Sequence, residues 1–224
     1  MDTATNCGLA PRSCFMAAVK PLVFVVDDDI SLRDSLGFLI ANAGWRPKLF
    51  ASAMEFLASP RPLSPSCLVL DVGLPDLDGL EVQQRMASES TDMPIIFITA
   101  RGDIPMTVRA IKAGAVEFLA KPFTPAVLLR AIESALERSR MHLEKEAILQ
   151  TLRDRYRSLS RREREVMAHV VLGQLNKQVG GELGISEVTV KQHRGRMMRK
   201  MRARSVPELV TIASRLGLET AGKG

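Results

Sequence analysis

The chain has 224 residues, of which 46% are hydrophobic, 25% are charged and only 4% are aromatic. This composition excludes collagen-like, low-complexity and disordered classes, and the length favours two domains. The net charge of +6 favours an anionic partner such as nucleic acid or a membrane surface. No apolar run approaches the roughly 18 to 20 residues of a membrane span, and a signal peptide is not evident. We therefore expect a cytoplasmic protein.

The basic charge is concentrated in the C-terminal third. Residues 1–142 carry a net charge of −2, whereas residues 143–224 carry +8. Such a split indicates two modules with different partners.

The first residues and the cysteines carry little functional signal. Residues 1–19 are predicted to form a loose tail, in which Met16 is an alternative start. Three cysteines without metal-ligand spacing indicate a reducing compartment rather than a disulfide framework. Cys67 lies in an apolar run and is expected to be packed in the core.

Between residues 22 and 119, short apolar runs alternate with longer amphipathic stretches. Their length and β-branched content are typical of buried parallel strands, and the intervening stretches 30–43 and 80–89 are long enough for crossover helices. The pattern predicts a doubly wound, five-stranded parallel α/β sheet. The predicted strands are 22–26, 48–50, 67–70, 95–98 and 116–119.

Charged and hydroxyl side chains follow the predicted strands. Asp27-Asp28-Asp29 follows the first strand, Asp71 the third, Thr99 the fourth and Lys121 the fifth. Ligands of such sheets bind at the carboxyl ends of the strands, near the switch point, and clustered carboxylates suit Mg²⁺. The alternative is that these residues are helix caps and a solvated lysine, and Asp29 in particular is placed to cap the helix that begins at Ile30.

These segments resemble the receiver domain of bacterial two-component response regulators, a flavodoxin/CheY-like fold. The matching motifs are Val25-Val26-Asp27-Asp28-Asp29, Leu70-Asp71-Val72-Gly73-Leu74-Pro75, Asp78-Gly79, Ile98-Thr99-Ala100 and Lys121-Pro122-Phe123. The resemblance implies that Asp71 is the phosphoacceptor. It also implies that Asp27, Asp28, Asp71 and the backbone carbonyl of Gly73 bind Mg²⁺.

The same resemblance assigns the remaining receiver residues. Thr99 and Lys121 are expected to contact the phosphoryl group, and Phe118 takes the place of the switch aromatic. The added charge at Asp71 would draw Thr99 and Lys121 toward it and open space for Phe118. Residues 104–113 and 116–119 are the surface that this family commonly uses for phosphorylation-dependent dimers. The alternatives are a buried Phe118 without a switching role and a constitutive dimer face.

The segment 126–159 lacks glycine and proline and carries apolar residues at roughly helical spacing. It predicts one long helix that joins the modules, although a short coiled coil and a solvated linker stay open. The expected domains are a receiver at 20–138, a helical linker at 139–157 and a third segment at 158–224.

The C-terminal third contains helical patterns only. Ser160 and Glu163 form a predicted capping box that opens a helix toward Leu172. Further helices are expected at 176–183, at 187–201 after the N-cap Ser186, and at 207–216. A helix, a short glycine turn and a basic helix are typical of a helix-turn-helix.

This region resembles a LuxR-type DNA-binding domain. The resemblance is carried by Leu159-Ser160-Arg161-Arg162-Glu163-Arg164-Glu165-Val166, Gly173, Asn176-Lys177, Leu183-Gly184-Ile185-Ser186, Thr189-Val190-Lys191-Gln192-His193 and Lys200-Met201. Together the two resemblances imply a NarL/FixJ-class response regulator. Gly180-Gly181 departs from the family pattern and predicts a soft or closely packed helix.

On the basic helix, Val190, Met197 and Met201 are predicted to pack on the domain, while Lys191 and Gln192 face the opposite way and can read base edges. Gly195 allows close approach on that face, and other basic residues are expected to contact phosphates. The expected DNA-binding residues are Lys177, Thr189, Lys191, Gln192, Arg194, Gly195, Arg196, Arg199 and Lys200.

The sequence thus predicts a transcription factor that a sensor histidine kinase phosphorylates at Asp71, that dimerises and that binds promoter DNA. RNA polymerase is a further expected partner, a membrane is not, and the only enzymatic activity expected is the receiver's own phosphotransfer. One alternative is a Mg²⁺-dependent phosphatase with Asp71 as nucleophile, although Gly73 stands where its acid/base carboxylate is required. Another is a regulator that binds DNA without phosphorylation.

Overall fold

The computed structural model describes residues 20–61, 63–88, 93–100 and 116–218. The chain divides into two compact units, the first ending at Glu144 and the second beginning at Lys145. Within the described ranges, no helix is both long enough and apolar enough to cross a membrane.

The first unit is built on a five-stranded sheet in which every strand pair is parallel. The strands lie in the order β2-β1-β3-β4-β5, and this confirms the predicted doubly wound fold. The strands are β1 Leu22–Val26, β2 Arg46–Phe50, β3 Ser66–Asp71, β4 Ile95–Thr99 and β5 Glu117–Ala120. The described helices that begin in this unit are α1 Ile30–Asn42, α2 Ala53–Leu57, α3 Gly79–Ser88 and α4 Pro125–Arg157.

Both faces of the sheet are covered by apolar side chains. Because successive residues of a strand point to opposite faces, Phe24 belongs to one core cluster and Val25 to the other. Phe24 packs edge-on against Phe56, with ring centroids 5.4 Å apart. Cys67 is fully buried, and burial raises the pKa of its thiol. The expectation that Cys67 is a packed core residue is confirmed.

Two local features of the first unit differ from the prediction. β2 begins at Arg46 rather than Lys48 and includes Pro47, which an edge strand tolerates because its outer N–H groups have no ladder partner. α2 was not predicted, since a helix of five residues is too short to show helical periodicity. Its first N–H groups are capped by the side chains of Ser52 and Asp76.

The described part of the second unit contains the four helices that the sequence predicts after residue 158. They are α5 Arg161–Val171, α6 Asn176–Leu183, α7 Glu187–Met201 and α8 Val206–Arg215. The capping box is confirmed, because Ser160 Oγ accepts from the Glu163 N–H and Glu163 Oε2 accepts from the Ser160 N–H. Ser186 caps α7 in the predicted manner.

The core of the second unit lies between these helices. Val190, Met197 and Met201 are fully buried on one face of α7, as predicted. They pack in one cluster with residues of α5 and α8, among them Val166 and Leu209. The opposite face of α7 takes no part in this core.

The two adjacent glycines of α6 have different surroundings. A Cβ added to Gly180 would lie 2.7 Å from the carbonyl oxygen of Ile185, whereas one added to Gly181 would meet nothing within 4 Å. The Ile185 N–H also donates to the Gly180 carbonyl at 3.0 Å. This contact fixes the turn between α6 and α7, so the structure shows close packing at Gly180 and open space at Gly181.

We predict opposite effects for alanine at these two positions. Gly181→Ala should raise the free energy of unfolding of the second unit by about 0.5–1 kcal/mol, because alanine is the better helix former. Gly180→Ala should lower it by about 1–3 kcal/mol, because the new methyl group overpacks the turn. Calorimetry of the full chain measures both changes, and stabilisation by Gly180→Ala would contradict the close approach.

Candidate functional site: an acidic rim and a basic helix

Three carboxylates meet where β1 and β3 end. Asp27 and Asp28 follow β1, Asp71 is the last residue of β3, and one oxygen from each lies within 4.8 Å of the others. Asp27 and Asp71 are buried, whereas Asp28 is exposed. The strand order changes direction between β1 and β3, and ligands of doubly wound sheets bind at such a switch point.

Lys121 joins the acidic cluster from the end of β5. Its Nζ donates to Asp27 Oδ2 at 3.0 Å and to Asp71 Oδ2 at 2.6 Å. Burial alone would lower the pKa of Lys121, but the hydrogen bonds to Asp71 and Asp27 outweigh it, so the pKa lies above its ordinary value. Lys121 is therefore an ammonium that bridges two carboxylates.

Burial has the largest effect on the pKa of Asp27. Desolvation raises the pKa of Asp27 above its ordinary value, although hydrogen bonds from Lys121 and from the Asp29 N–H act in the opposite direction. Removing Lys121 would leave a buried carboxylate without its main cationic partner, which is costly. The lysine and the acidic cluster thus depend on each other.

Asp71 is oriented through both carboxylate oxygens. Oδ1 accepts from the Gly73 N–H at 3.0 Å, while Oδ2 accepts from Lys121. Such hydrogen bonds stabilise an ionised carboxylate. The loop after β3 therefore holds the side chain that the sequence singles out as the nucleophile.

Thr99 and Phe118 lie on the two neighbouring strands. Thr99 ends β4 and is 4% exposed, and Ile98 before it is the register partner of Asp71. Phe118 in β5 is half-buried, with its ring centroid 6.3 Å from that of Phe97. The switching roles of Thr99 and Phe118 stay predictions, and the rest of the predicted dimer surface, residues 104–113, lies outside the described residues.

Asp29 and Arg33 link the acidic run to α1. Asp29 accepts from the N–H groups of Ser31 and Leu32 and so confirms the helix-cap interpretation. Arg33, which the sequence did not single out, donates from Nη1 to the backbone carbonyls of Asp27 at 2.6 Å and Asp28 at 3.3 Å. In the sequence, this role of Arg33 is indicated only by its position shortly after the acidic run. An arginine in the first turn of any helix would have the same appearance.

The chemistry of the donors fits a divalent cation. The cluster offers three carboxylates, which are hard oxygen ligands, and Lys121 supplies one positive charge against them. A doubly charged cation would offset the remaining repulsion. The acidic rim is therefore a site that can bind a metal ion.

The basic helix α7 presents most of the predicted DNA-binding side chains to solvent. Its exposed residues include Lys191, Gln192, Gly195, Arg196 and Arg199. They lie away from the buried Val190, Met197 and Met201 face. Lys177, at the start of α6, is also exposed.

Other predicted DNA contacts have partners inside the second unit. Arg194 donates to Asn176 Oδ1 at 2.9 Å, and the Thr189 hydroxyl lies 2.8 Å from that of Ser186. Lys200 forms an ion pair with the buried carboxylate of Glu163 at 2.6 Å. These contacts tie α7 to α6, to its own N-cap and to α5.

The Glu163–Lys200 pair is structural in character. Burial acts to raise the pKa of Glu163, but the hydrogen bonds from Lys200 and Ser160 outweigh it, so the pKa lies below its ordinary value. Lys191 has a weaker tether, an exposed ion pair with Glu187 at 3.1 Å one helical turn away. Exposed pairs of this kind contribute little free energy, so Lys191 is easily released.

Comparison with known proteins assigns both units. Residues 23–133 match the family described as "Response regulator receiver domain", and residues 157–213 match "Bacterial regulatory proteins, luxR family".

Full-length relatives show the same combination. The chain is 50% identical to nodulation protein W of Bradyrhizobium diazoefficiens, over 90% of this chain and 89% of the relative. It is 42% identical to the transcriptional regulatory protein FixJ of the same species, over 89% and 97% of the two chains. It also resembles the solved structure of the response regulator StyR, with a TM-score of 0.79, 46% identity and coverage of 88% and 100%. The chain belongs to the NarL/FixJ class of two-component response regulators, which are transcription regulators with a receiver domain and a LuxR-type DNA-binding domain.

Proposed function

We propose that this response regulator is switched by phosphorylation of Asp71 and that the phosphorylated form binds promoter DNA as a dimer. The family implies a histidine kinase as partner and DNA as ligand. The observation that carries the proposal is the position of Asp71, at the switch point of the sheet and 2.6 Å from the ammonium of Lys121.

The chain's own residues prepare the phosphoryl transfer. A carboxylate oxygen of Asp71 forms the new bond to phosphorus, and the bond from phosphorus to the donor's leaving group breaks. Lys121, already within reach of Asp71, neutralises charge on the transferring oxygens, and Thr99 supplies a hydroxyl beside them. This self-phosphorylation is the only catalysis that we propose for the chain.

Mg²⁺ is the proposed cofactor, held by Asp27, Asp28, Asp71 and the backbone carbonyl of Gly73. When bound, it supplies positive charge next to the phosphoryl oxygens. The three clustered carboxylates support this assignment. Arg33 supports it indirectly, because it fixes the backbone of the two residues after β1.

The proposed response runs from the rim to the surface of the receiver. A phosphoryl group on Asp71 adds negative charge and acceptor oxygens, which attract Thr99 and Lys121. Phe118 then turns toward the space near Thr99, and residues 104–113 and 116–119 form the dimer face. The half-buried position of Phe118 beside Phe97 supports this role, since the ring is near the core without being enclosed.

In the second unit, α7 is the proposed recognition helix. Lys191 and Gln192 read base edges in the major groove, Gly195 allows close approach, and Lys177, Arg196 and Arg199 contact phosphates. Thr189, Arg194 and Lys200 stay predicted contacts, and each would have to share or leave its present partner. We propose that the protein acts in the cytoplasm. We also propose RNA polymerase as a partner of the DNA-bound dimer.

The proposed domain boundaries are those expected from the sequence: a tail at 1–19, a receiver at 20–138, a linker at 139–157 and a DNA-binding domain at 158–224. Residues 139–157 lie within α4, which ends at Arg157. Helical backbone there supports the linker as a helix.

Asp71→Asn should abolish labelling by a small-molecule phosphodonor in the presence of Mg²⁺, because an amide is not a nucleophile toward phosphorus. Intact-protein mass spectrometry detects the added phosphoryl group. Asp78→Asn is a matched control, since Asp78 is an exposed carboxylate of the same loop that caps α3 through the Leu80 N–H, and asparagine is an equally good cap. Persistent labelling of Asp71→Asn would refute the assignment.

Lys191→Ala should weaken specific DNA binding by about 1–3 kcal/mol and relax preference at one base pair, as expected for a base contact. Lys177→Ala removes the same charge from a proposed phosphate contact. It should therefore weaken binding to all sequences alike and reduce the slope of log affinity against log salt. Titrations of specific and unrelated duplexes at several salt concentrations separate these outcomes, and equal losses on both duplexes for Lys191→Ala would exclude base reading.

Phosphorylation should strengthen dimerisation of the full chain. Sedimentation velocity with and without phosphodonor measures the change, and Asp71→Asn treated with the same donor is expected to stay at the untreated level. Equal association of the treated and untreated wild type would favour a constitutive dimer.

A further inference from the structure

The solvent face of α7 carries an exposed apolar side chain near its N-terminus. Val188 is 64% exposed and lies outside the apolar cluster that forms the core of the second unit. A β-branched residue is also a poorer helix former than alanine. Neither packing nor helix propensity in the described residues accounts for valine at this position.

The position of Val188 on the helix relates it to the proposed reading residues. At about 100° per residue, Val188 lies within roughly 60° of Lys191 and of Gln192, and Gly195 points in nearly the same direction. The buried Val190 and Met197 lie on the far side of the helix. Val188, Lys191 and Gln192 thus form one continuous surface.

The major groove offers a specific counterpart for an apolar side chain at this place. The N-terminal residues of a recognition helix are the ones that approach base edges. Among the base-edge groups in the major groove, the C5-methyl group of thymine is apolar and marks one strand of an A·T pair. Contact with it removes apolar surface of both partners from water.

Gly195 makes such a contact geometrically reasonable. It lies on the same face, and a Cβ added there would meet nothing within 4 Å. At this one position the helix therefore has no side chain between its backbone and the DNA. A short side chain such as valine can then reach a base edge.

We infer that Val188 is a specificity-determining residue that contacts a thymine methyl group in the major groove. This inference rests on the proposed function of α7 as the recognition helix. It extends that function from polar base reading by Lys191 and Gln192 to recognition of a thymine by its methyl group.

The test uses deoxyuridine, which lacks only the C5-methyl group of thymine. The full-length phosphorylated protein first selects a high-affinity duplex from a random-sequence library. Each thymine of one half-site is then replaced singly by deoxyuridine, and affinities are measured for the wild type and for Val188→Ala. Leu172→Ala is the control, because it also truncates an exposed apolar residue of the second unit but lies outside α7.

For the wild type, one replacement should lower affinity by about fourfold, the value expected for one buried methyl group. Val188→Ala should bind the thymine and deoxyuridine duplexes equally at that position, whereas Leu172→Ala should keep the wild-type sensitivity. Unchanged affinity of Val188→Ala for unrelated DNA would show that the domain is intact, as expected from alanine's higher helix propensity.

Two results would overturn the inference while leaving the proposed function in place. One is a wild type that is insensitive to every replacement, and the other is a Val188→Ala variant with the wild-type sensitivity. If the wild type selects no sequence from the library at all, sequence-specific binding itself is refuted, and the inference falls with it.

Discussion

Repulsion between three carboxylates at one edge of a parallel sheet is the constraint on which the receiver depends. Parallel strands end at the same edge, so residues that are far apart in sequence, such as Asp27 and Asp71, are brought within a few ångströms of each other. Lys121 offsets part of this repulsion by donating to both carboxylates. Because one lysine does not neutralise three carboxylates, the site attracts further positive charge. It is therefore suited to a metal ion and to a reaction that changes the charge on one of the carboxylates.

The sequence predicts this rim well because the relevant positions are set by backbone topology. Once the apolar runs are assigned to parallel strands, the residues that follow them must meet, and Asp27, Asp71 and Lys121 do so. Individual side-chain contacts with loop and helix backbone could not be predicted in this way. The clamp of Arg33 on two carbonyl groups and the cap of Asp76 on α2 depend on loop conformations that no periodicity encodes. The helix α2 was not predicted either, because its five residues are too few to show helical periodicity.

The second unit shows a similar division. Caps and buried faces follow local rules, and the roles of Ser160, Ser186 and Met197 were accessible from sequence spacing. The partners of the basic residues could not be predicted from the sequence. An arginine or lysine on a predicted helix has the same appearance whether it contacts DNA or a neighbouring helix. Glycines have the same ambiguity, and only the structure distinguishes the crowded Gly180 from the open Gly181.

The Glu163–Lys200 ion pair has a consequence for how the charge of the DNA-binding unit should be counted. Lys200 is already neutralised by a buried carboxylate, and Arg194 is held by an amide oxygen. The salt dependence of DNA affinity reflects the counterions released when cations meet phosphates. A cation that keeps its internal partner displaces none of the ions condensed on the duplex. The slope of that dependence therefore counts only the basic groups that are free to approach the DNA backbone. Part of the positive charge in the C-terminal third instead holds α7 against α5 and α6.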